Sequence, residues 1–204
     1  MNNLFDIACN FSSDRFDKDL DAVIERAKIN NVNKFLIVSA SLNDFEKTYN
    51  IYKSNLKEAF FSIGTHPHHA DEINAEQIKN MRRLVGEHNP SCIGETGLDF
   101  FRNLSSHDEQ TFAFQEQIKI AIDFNKPLYL HQRDSHSEFI KIISEYKDYL
   151  PKSVVHCFTG TQSELEDYLD LGFYIGLTGW VCDERRNVEL RQSIKNIPLD
   201  RLML

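Results

Sequence analysis

The feature that most constrains this chain is a repeated alternation of short apolar runs with longer amphipathic stretches. The runs lie at residues 5–10, 34–40, 59–64, 91–94, 127–131, 153–158, 172–179 and 201–204. The second of them is continuously apolar over residues 35–38. Such strands are typical of parallel sheets that are buried on both faces, because neither side needs polar residues. The alternation therefore predicts an α/β fold with a parallel sheet.

Amphipathic helices are predicted between these runs. Leu20, Val23, Ile24 and Ala27 recur at the spacing that lines one helix face, and residues 114–122 and 139–143 repeat this pattern. Helix starts are predicted at Asn43 and at Ser163, since a glutamate follows each cap three residues later. Eight strands alternating with seven helices most simply form a (β/α)8 TIM barrel. An open doubly wound sheet is the alternative.

Length and charge narrow the class of protein. The 204 residues suit one domain, so we expect a single TIM-barrel domain over residues 1–204. A net charge of -8 argues against a broad surface for duplex DNA or anionic membranes, although a small metal-lined pocket can still bind one phosphate. The sequence shows neither a signal peptide nor an apolar run long enough to span a membrane, which predicts a cytoplasmic protein. The four cysteines are expected to be reduced core thiols.

The last apolar run bears on whether the barrel is complete. A TIM barrel typically has about 250 residues, with roughly 200 as its lower limit. The run at residues 201–204 has no amphipathic stretch after it. We therefore expect this sequence to lack the last strand end and the closing helix of the barrel.

Metal-competent side chains follow successive predicted strands. TIM barrels place catalytic groups at the C-terminal ends of their strands. Glu95, His131 and His156 each come directly after an apolar run or lie near its end. A single strand-end histidine is usually structural, but two imidazoles and one carboxylate on a shared rim form an open catalytic metal set. His156 facing the barrel mouth would turn Cys157 away, so a Cys/His nucleophile pair is not expected.

Further polar residues accompany this set. His66 and His68 follow the third run, Asp99 follows Glu95 by four residues, and Arg133 lies two residues after His131. Beyond the seventh run come Trp180, Asp183, Arg185 and Arg186. The position of this last group suits either a functional loop or an ordinary charged start of a surface helix.

Several ordered strings resemble the TatD family of metal-dependent deoxyribonucleases. They are Gly64-Thr65-His66-Pro67-His68, Gly94-Glu95-Thr96-Gly97-Leu98-Asp99-Phe100, Pro127-Leu128-Tyr129-Leu130-His131-Gln132-Arg133-Asp134 and His156-Cys157-Phe158-Thr159-Gly160. Residues 174–186 look like the branch that gives the family its name. The resemblance extends over essentially the whole chain. It implies a TIM barrel, a divalent-metal site and phosphodiester hydrolysis, with 3′-to-5′ exonuclease activity on single-stranded DNA, or on RNA.

The resemblance also assigns roles to individual residues. Glu95, His131 and His156 fall on the family's metal-ligand positions, and His66 falls on a motif near the site. We predict Glu95, His66 and Asp99 as catalytic residues, with Asp99 orienting the ligands. The predicted substrate-binding residues are His66, His68, Arg133, Trp180 and Arg185. Mg²⁺ is the predicted metal, with Mn²⁺ or Zn²⁺ as alternatives, and a monomer is expected.

Two departures from the family pattern qualify these expectations. Ala8 and Asn10 stand where most of the family has the two histidines of Asp-x-His-x-His, so one metal is either lost or held differently. The family's Glu-Thr-Asp string after the last strand does not occur in these 204 residues. Two other functions therefore stay open. One is a TIM-barrel metallohydrolase acting on esters or amides, and the other is an inactive truncated fragment.

Overall fold

The barrel is described by a computed structural model that covers residues 3–55, 57–184 and 188–204. Its strands in those ranges are β1 Leu4–Cys9, β2 Val32–Ile37, β3 Ala59–Ile63, β4 Cys92–Asp99, β5 Leu128–Arg133, β6 Val154–Val155, β7 Tyr174–Gly176 and β8 Leu202–Met203. The α-helices are α1 Leu20–Ile29, α2 Phe45–Ser54, α3 Ala75–His88, α4 His107–Asp123, α5 His136–Tyr146, α6 Gln162–Asp170 and α7 Val188–Ser193.

The sheet topology confirms the predicted TIM barrel. Each strand pairs in parallel with the next along the chain, in the order β1 to β8. The edge strands meet where the Ile7 N–H donates to the Leu204 carbonyl at 3.0 Å. A doubly wound sheet would reverse its strand order partway, so that alternative is wrong. All strand C-terminal ends therefore face one rim.

The barrel core is apolar, as the continuous runs require. Ile37, Ile93, Leu130 and Ile175 are completely buried strand residues that cluster with residues of the helices. A second cluster holds the strand residues Ile7, Leu36, Cys92 and Tyr129, together with Val38, which directly follows β2. On the outside, α5 buries the predicted stripe through Phe139, Ile142 and Ile143. Helix α1 buries only Ile24, and the other residues of its predicted face are half-buried, so that helix is held more loosely than its periodicity suggests.

The two predicted helix caps are wrong. Helix α6 begins earlier, because Thr161 and Glu164 form a reciprocal capping box. This choice directs Leu165 into the core, where it is completely buried. Helix α2 is preceded by a short 3-10 turn at Leu42–Asp44, which Ser41 caps instead of Asn43. Overlapping Ser/Thr-x-x-Glu strings compete locally, and tertiary packing selects between them.

Strand β4 is longer than its apolar run predicts. The sequence suggests an end at Gly94, whereas the strand continues to Asp99 and is buried throughout. Gly94 and Gly97 have φ values of 143° and 142°. A Cβ atom at either position would collide with the backbone of β5, at Tyr129 and His131 respectively. Both glycines therefore allow β4 and β5 to approach closely around the residues predicted to be functional.

The cysteines only partly match the core-thiol prediction. All four are free, and Cys9 and Cys92 are buried. Cys157 is half-buried, and Cys182 is exposed, so the prediction is wrong for Cys182. None of the helices in the described ranges is both long and apolar enough to cross a membrane.

Candidate active site

A cavity of about 480 Å³ opens at the C-terminal rim of the barrel. His66, Glu95, His131 and His156 line it, together with Arg133 and Trp180. These residues come from the ends of β3, β4, β5, β6 and β7 or from the segments that follow them. The fold therefore brings together groups that are far apart in sequence, as strand ends in a barrel should.

One carboxylate oxygen is the centre of this site. Glu95 Oε1 lies 2.6 Å from His156 Nε2, 3.0 Å from His131 Nδ1 and 3.2 Å from His66 Nε2. Burial alone would raise the pKa of the Glu95 carboxyl. The charge of His156 and the hydrogen bonds from the three imidazoles outweigh burial and hold that pKa well below its usual range. Glu95 is therefore an anion surrounded by nitrogen donors.

His131 lies between two carboxylates. Its Nδ1 faces Glu95, and its Nε2 lies 3.4 Å from Asp99 Oδ2. Burial favours the neutral imidazole, but hydrogen bonding to Asp99 and Glu95 outweighs burial and raises the pKa of His131 to about 9. The two acids therefore orient this ring and increase its affinity for a positive charge.

Asp99 is the last residue of β4, does not line the cavity and is 1% exposed. Its Oδ2 lies 2.7 Å from His68 Nε2, and its Oδ1 accepts backbone N–H groups from Phe101 and Arg102 at 3.1 and 2.8 Å. Burial would raise its pKa, whereas the hydrogen bonds from His131, from the Arg102 N–H and from His68 hold that pKa far below the usual range. Asp99 thus joins the histidines to the loop after β4.

His66 has a tautomer that the backbone selects. Its Nδ1 accepts the His68 N–H at 3.1 Å, because His66 caps the short 3-10 helix Pro67–Glu72. Burial lowers the pKa of His66, and the hydrogen bond to Glu95 offsets this only in part. A neutral ring whose Nδ1 accepts carries its proton on Nε2. His66 therefore points an N–H donor at Glu95 Oε1 and toward His131.

The donor set fits a divalent metal. Ligand atoms of His66, Glu95 and His131 all lie within 4.8 Å of one another, and His156 Nε2 contacts the same Glu95 oxygen at 2.6 Å. The ring nitrogens in place to bind a cation beside Glu95 Oε1 are His131 Nδ1 and His156 Nε2, at 3.0 and 2.6 Å from that oxygen. His131 Nε2 instead faces Asp99 Oδ2 at 3.4 Å. Imidazole and carboxylate donors together suit a divalent cation.

The predicted site residues mostly converge. The rim cavity is lined by seven of them, namely His66, His68, Glu95, His131, Arg133, His156 and Trp180. Asp99 is buried next to His68 and His131 and does not line the cavity. Asn10 lines this cavity as well, and Ala8 lines an adjoining one, so both family departures border the site. Arg185 and Arg186 lie outside the described residues.

Two buried glutamines of α4, whose side chains bond the backbone of the strand ends that form the site, were not predicted from the sequence. Gln117 makes two hydrogen bonds to the backbone of Thr65, and Gln110 does the same for Asp99. Seven residues separate them, which places both on one helix face. A polar residue recurring within an otherwise apolar helix face is the signal that could have found them.

Comparisons with known proteins agree with this geometry. A family model described as TatD related DNase matches residues 5–204. The 3'-5' ssDNA/RNA exonuclease TatD of Cronobacter sakazakii is 42% identical over 201 residues, which are 98% of this chain and 76% of that protein. The protein of the same name from Pantoea ananatis is 40% identical over 98% of this chain and 77% of its own length.

Solved structures give the same result. The crystal structure of YjjV, a TatD homologue from Escherichia coli K12, has a TM-score of 0.90 at 25% identity and covers 98% of this chain and 77% of its own. The crystal structure of a TatD family hydrolase from Entamoeba histolytica has a TM-score of 0.88 at 29% identity. It covers 99% of this chain and 73% of that protein's own chain. Since the family model extends over nearly all of the sequence and the exonucleases from Pantoea ananatis and Cronobacter sakazakii are 40% and 42% identical to it, the chain belongs to the TatD related DNase family.

Proposed function

We propose that this chain is a divalent-metal-dependent exonuclease that hydrolyses phosphodiester bonds of single-stranded DNA and RNA from the 3′ end. The observation that carries this proposal is the single carboxylate oxygen of Glu95, on which three imidazoles converge inside the rim cavity. The names of the relatives supply the substrate class and the direction of digestion.

We assign Glu95, His131 and His156 as the residues that hold the metal. Glu95 is anionic, and His131 Nδ1 and His156 Nε2 lie 3.0 and 2.6 Å from its Oε1. A divalent cation in this set supplies Lewis acidity, which makes a water molecule a better nucleophile and withdraws charge from a phosphoryl oxygen. Asp99 acts behind His131, where its carboxylate fixes the orientation of the ring.

His66 has a different role from its neighbours. The His68 backbone N–H bonds the His66 Nδ1 and so fixes the ring proton on Nε2, whereas the described structure shows no backbone group on the ring nitrogens of His131 or His156. This Nε2–H can donate to Glu95 in the free enzyme and to a phosphoryl oxygen in the substrate complex. We therefore assign His66 to substrate orientation and His68 to the support of Asp99, which its Nε2 contacts at 2.7 Å.

The remaining substrate contacts are assigned by chemistry. Arg133 lines the cavity and offers the planar donor edge that suits a phosphate. Trp180 lies in a short 3-10 helix, lines the cavity, is 38% exposed, and can stack on a nucleobase. Arg185 is a proposed phosphate contact from its place in the sequence alone.

We propose Mg²⁺ as the metal, with Mn²⁺ and Zn²⁺ as the alternatives. The family resemblance favours Mg²⁺, whereas a donor set with two imidazoles also suits Mn²⁺ and Zn²⁺. Elemental analysis of protein purified without added metal, combined with activity after reconstitution with each ion, distinguishes these three.

The free thiols fit a reducing compartment, which supports the proposed cytoplasmic location. The monomer stays a prediction.

The test uses single-stranded oligonucleotides of DNA and of RNA, labelled at one end. A 5′ label should yield a ladder that shortens from the 3′ end, and EDTA should abolish it. The Glu95→Gln variant should lose at least about 100-fold in kcat, because it removes an anionic metal ligand. Glu87→Gln, an exposed carboxylate on α3, is the matched control and should retain full activity.

A panel of esters and amides is assayed alongside the oligonucleotides to test the alternative metallohydrolase function. Turnover of that panel without oligonucleotide digestion would contradict the proposal.

A further inference from the structure

We propose that Phe101 positions Arg133 as a phosphate clamp at the mouth of the cavity. This inference rests on the proposed function and deepens it, since it names how the substrate strand is held. Phe101 itself does not line the cavity. It belongs to the loop between β4 and α4, and it acts through the guanidinium group that it contacts.

The geometry of the pair is that of a stack. The guanidinium carbon of Arg133 lies over the Phe101 ring, 3.8 Å from its centroid. A cation at this distance is attracted by the ring face. Stacking uses the face of the guanidinium plane and leaves its N–H donors free at the edge. The aromatic ring therefore fixes the plane of Arg133 without occupying the groups that recognise a phosphate.

The charge of Arg133 has no carboxylate partner in the described ranges, where no Asp or Glu oxygen comes within 4.0 Å of the guanidinium. Asp99 is its register partner across β4 and β5. Both oxygens of that carboxylate are already engaged, one by the His68 ring and the other by two backbone N–H groups. Arg133 therefore presents a positive charge toward a cavity in which an anionic substrate would otherwise meet Glu95.

The loop that carries Phe101 is held rigidly although its ring is exposed. The Phe101 N–H donates to Asp99 Oδ1 at 3.1 Å, and the Phe100 N–H donates to the Arg133 carbonyl at 2.9 Å. The Phe101 side chain is nevertheless 58% exposed, so core packing does not explain an aromatic residue there. An exposed ring on a fixed backbone is the arrangement expected of a residue that holds another side chain, here Arg133, in a defined orientation.

The Asp99 carboxylate thus contacts both the proposed metal-ligand residue His131 and the loop that carries Phe101. Asp99 orients His131 with one oxygen and pins the Phe101 loop with the other. This coupling sets the distance between the metal ligands and the Arg133 edge. The clamp would therefore hold the substrate strand beside the metal ligands and contribute equally to binding before and during the reaction.

The experiment is steady-state kinetics on a single-stranded oligonucleotide. Phe101→Ala should raise KM by about 2- to 5-fold, the equivalent of one exposed cation–π contact, and leave kcat unchanged. Phe101→Tyr keeps a ring face and should restore the KM of the unmodified protein. Leu104→Ala is the matched control, since this apolar residue of the same loop is 62% exposed, and it should change neither constant.

A double-mutant cycle tests whether Phe101 acts through Arg133. Arg133→Ala should raise KM more than Phe101→Ala does, and adding Phe101→Ala to it should have no further effect. If Phe101→Ala has no effect alone, or weakens substrate binding equally without Arg133, the clamp is refuted. The second result would indicate a ring that stacks directly on a base.

Binding without catalysis separates this inference from the proposed function. Fluorescence anisotropy of the same oligonucleotide in EDTA reports strand binding in the absence of metal and of cleavage. Weaker binding by Phe101→Ala that depends on Arg133 supports the clamp even when nothing is cleaved. Cleavage by the unmodified protein with identical binding by the variant refutes the clamp and leaves the exonuclease proposal intact.

Discussion

Gln117 holds both backbone groups of Thr65. Its Oε1 accepts the Thr65 N–H at 2.8 Å, and its Nε2 donates to the Thr65 carbonyl at 3.0 Å. Thr65 directly precedes His66, so a side chain of α4 fixes the strand end that delivers this histidine to the cavity. Gln110 repeats the arrangement one heptad earlier, where it fixes Asp99. Helix α4 is thus a shared support for two of the strand ends that build the site.

Removing this support should destabilise the barrel measurably. Gln117→Leu keeps the volume but leaves a buried N–H and a buried carbonyl unpaired, since Thr65 is 1% exposed. The free energy of unfolding should fall by about 2–4 kcal/mol, because each buried unpaired group costs about 1–3 kcal/mol. Urea unfolding measures the loss. Gln115→Leu, on the same helix but half-buried, should change stability by less than about 0.5 kcal/mol, and an equal loss there would contradict the argument.

The barrel itself could be predicted from the sequence. Its signal is local and repeated, since each apolar run and each helical stripe indicates its own element without reference to the others. The convergence of Glu95, His131 and His156 followed from the same reasoning, because a barrel gathers its strand ends at one rim.

The remaining details depend on long-range contacts that periodicity does not encode. The sequence predicts that the fourth strand ends at Gly94, and only the close approach of β5 explains why β4 continues through Gly94 and Gly97. The caps Thr161 and Ser163 are equivalent in sequence, and packing of Leu165 decides between them. The stack of Phe101 on Arg133 joins the loop after β4 to the end of β5, and no local sequence pattern links the two.

Two glycine-to-alanine changes should have opposite effects on stability. Gly97→Ala places a Cβ against the His131 carbonyl at a φ that alanine rarely adopts, and should lower the free energy of unfolding by more than about 2 kcal/mol. Gly86→Ala lies inside α3, where the new Cβ meets Phe124 at 3.5 Å, an ordinary contact. It should raise stability by about 0.5–1 kcal/mol. Thermal unfolding of both variants checks the signs, and stabilisation by Gly97→Ala would disprove the close approach of the strands.

The cysteines should differ in their reactivity and its pH dependence. Burial raises the pKa of Cys92 to about 12 and also raises the pKa of Cys9, so both stay neutral thiols when the folded protein is titrated through pH 9. A thiol reagent at pH 8 should label the exposed Cys182 quickly and these two only after unfolding. A folded pKa above the unfolded value also means that the contribution to stability is full below about pH 9 and declines as pH rises toward 12. Mass spectrometry of labelled peptides decides this, and rapid labelling of Cys92 in the folded protein would contradict the burial.

Metal binding should stabilise the protein through His131. A cation that binds only the folded state adds about 2.7 kcal/mol when present at about 100 times its Kd. For a chain of this length, that gain should raise Tm by roughly 5–10 °C, and EDTA should reverse it. His131→Ala should abolish the shift, because the variant loses the ring that Asp99 and Glu95 orient. His88→Gln removes a histidine of α3 that packs against Phe45 and Tyr49, and should keep the full shift relative to its own metal-free form. A full metal-induced shift in His131→Ala would mean that the cation binds elsewhere. Loss of the shift in both variants would mean that it reports general destabilisation and no specific ligand.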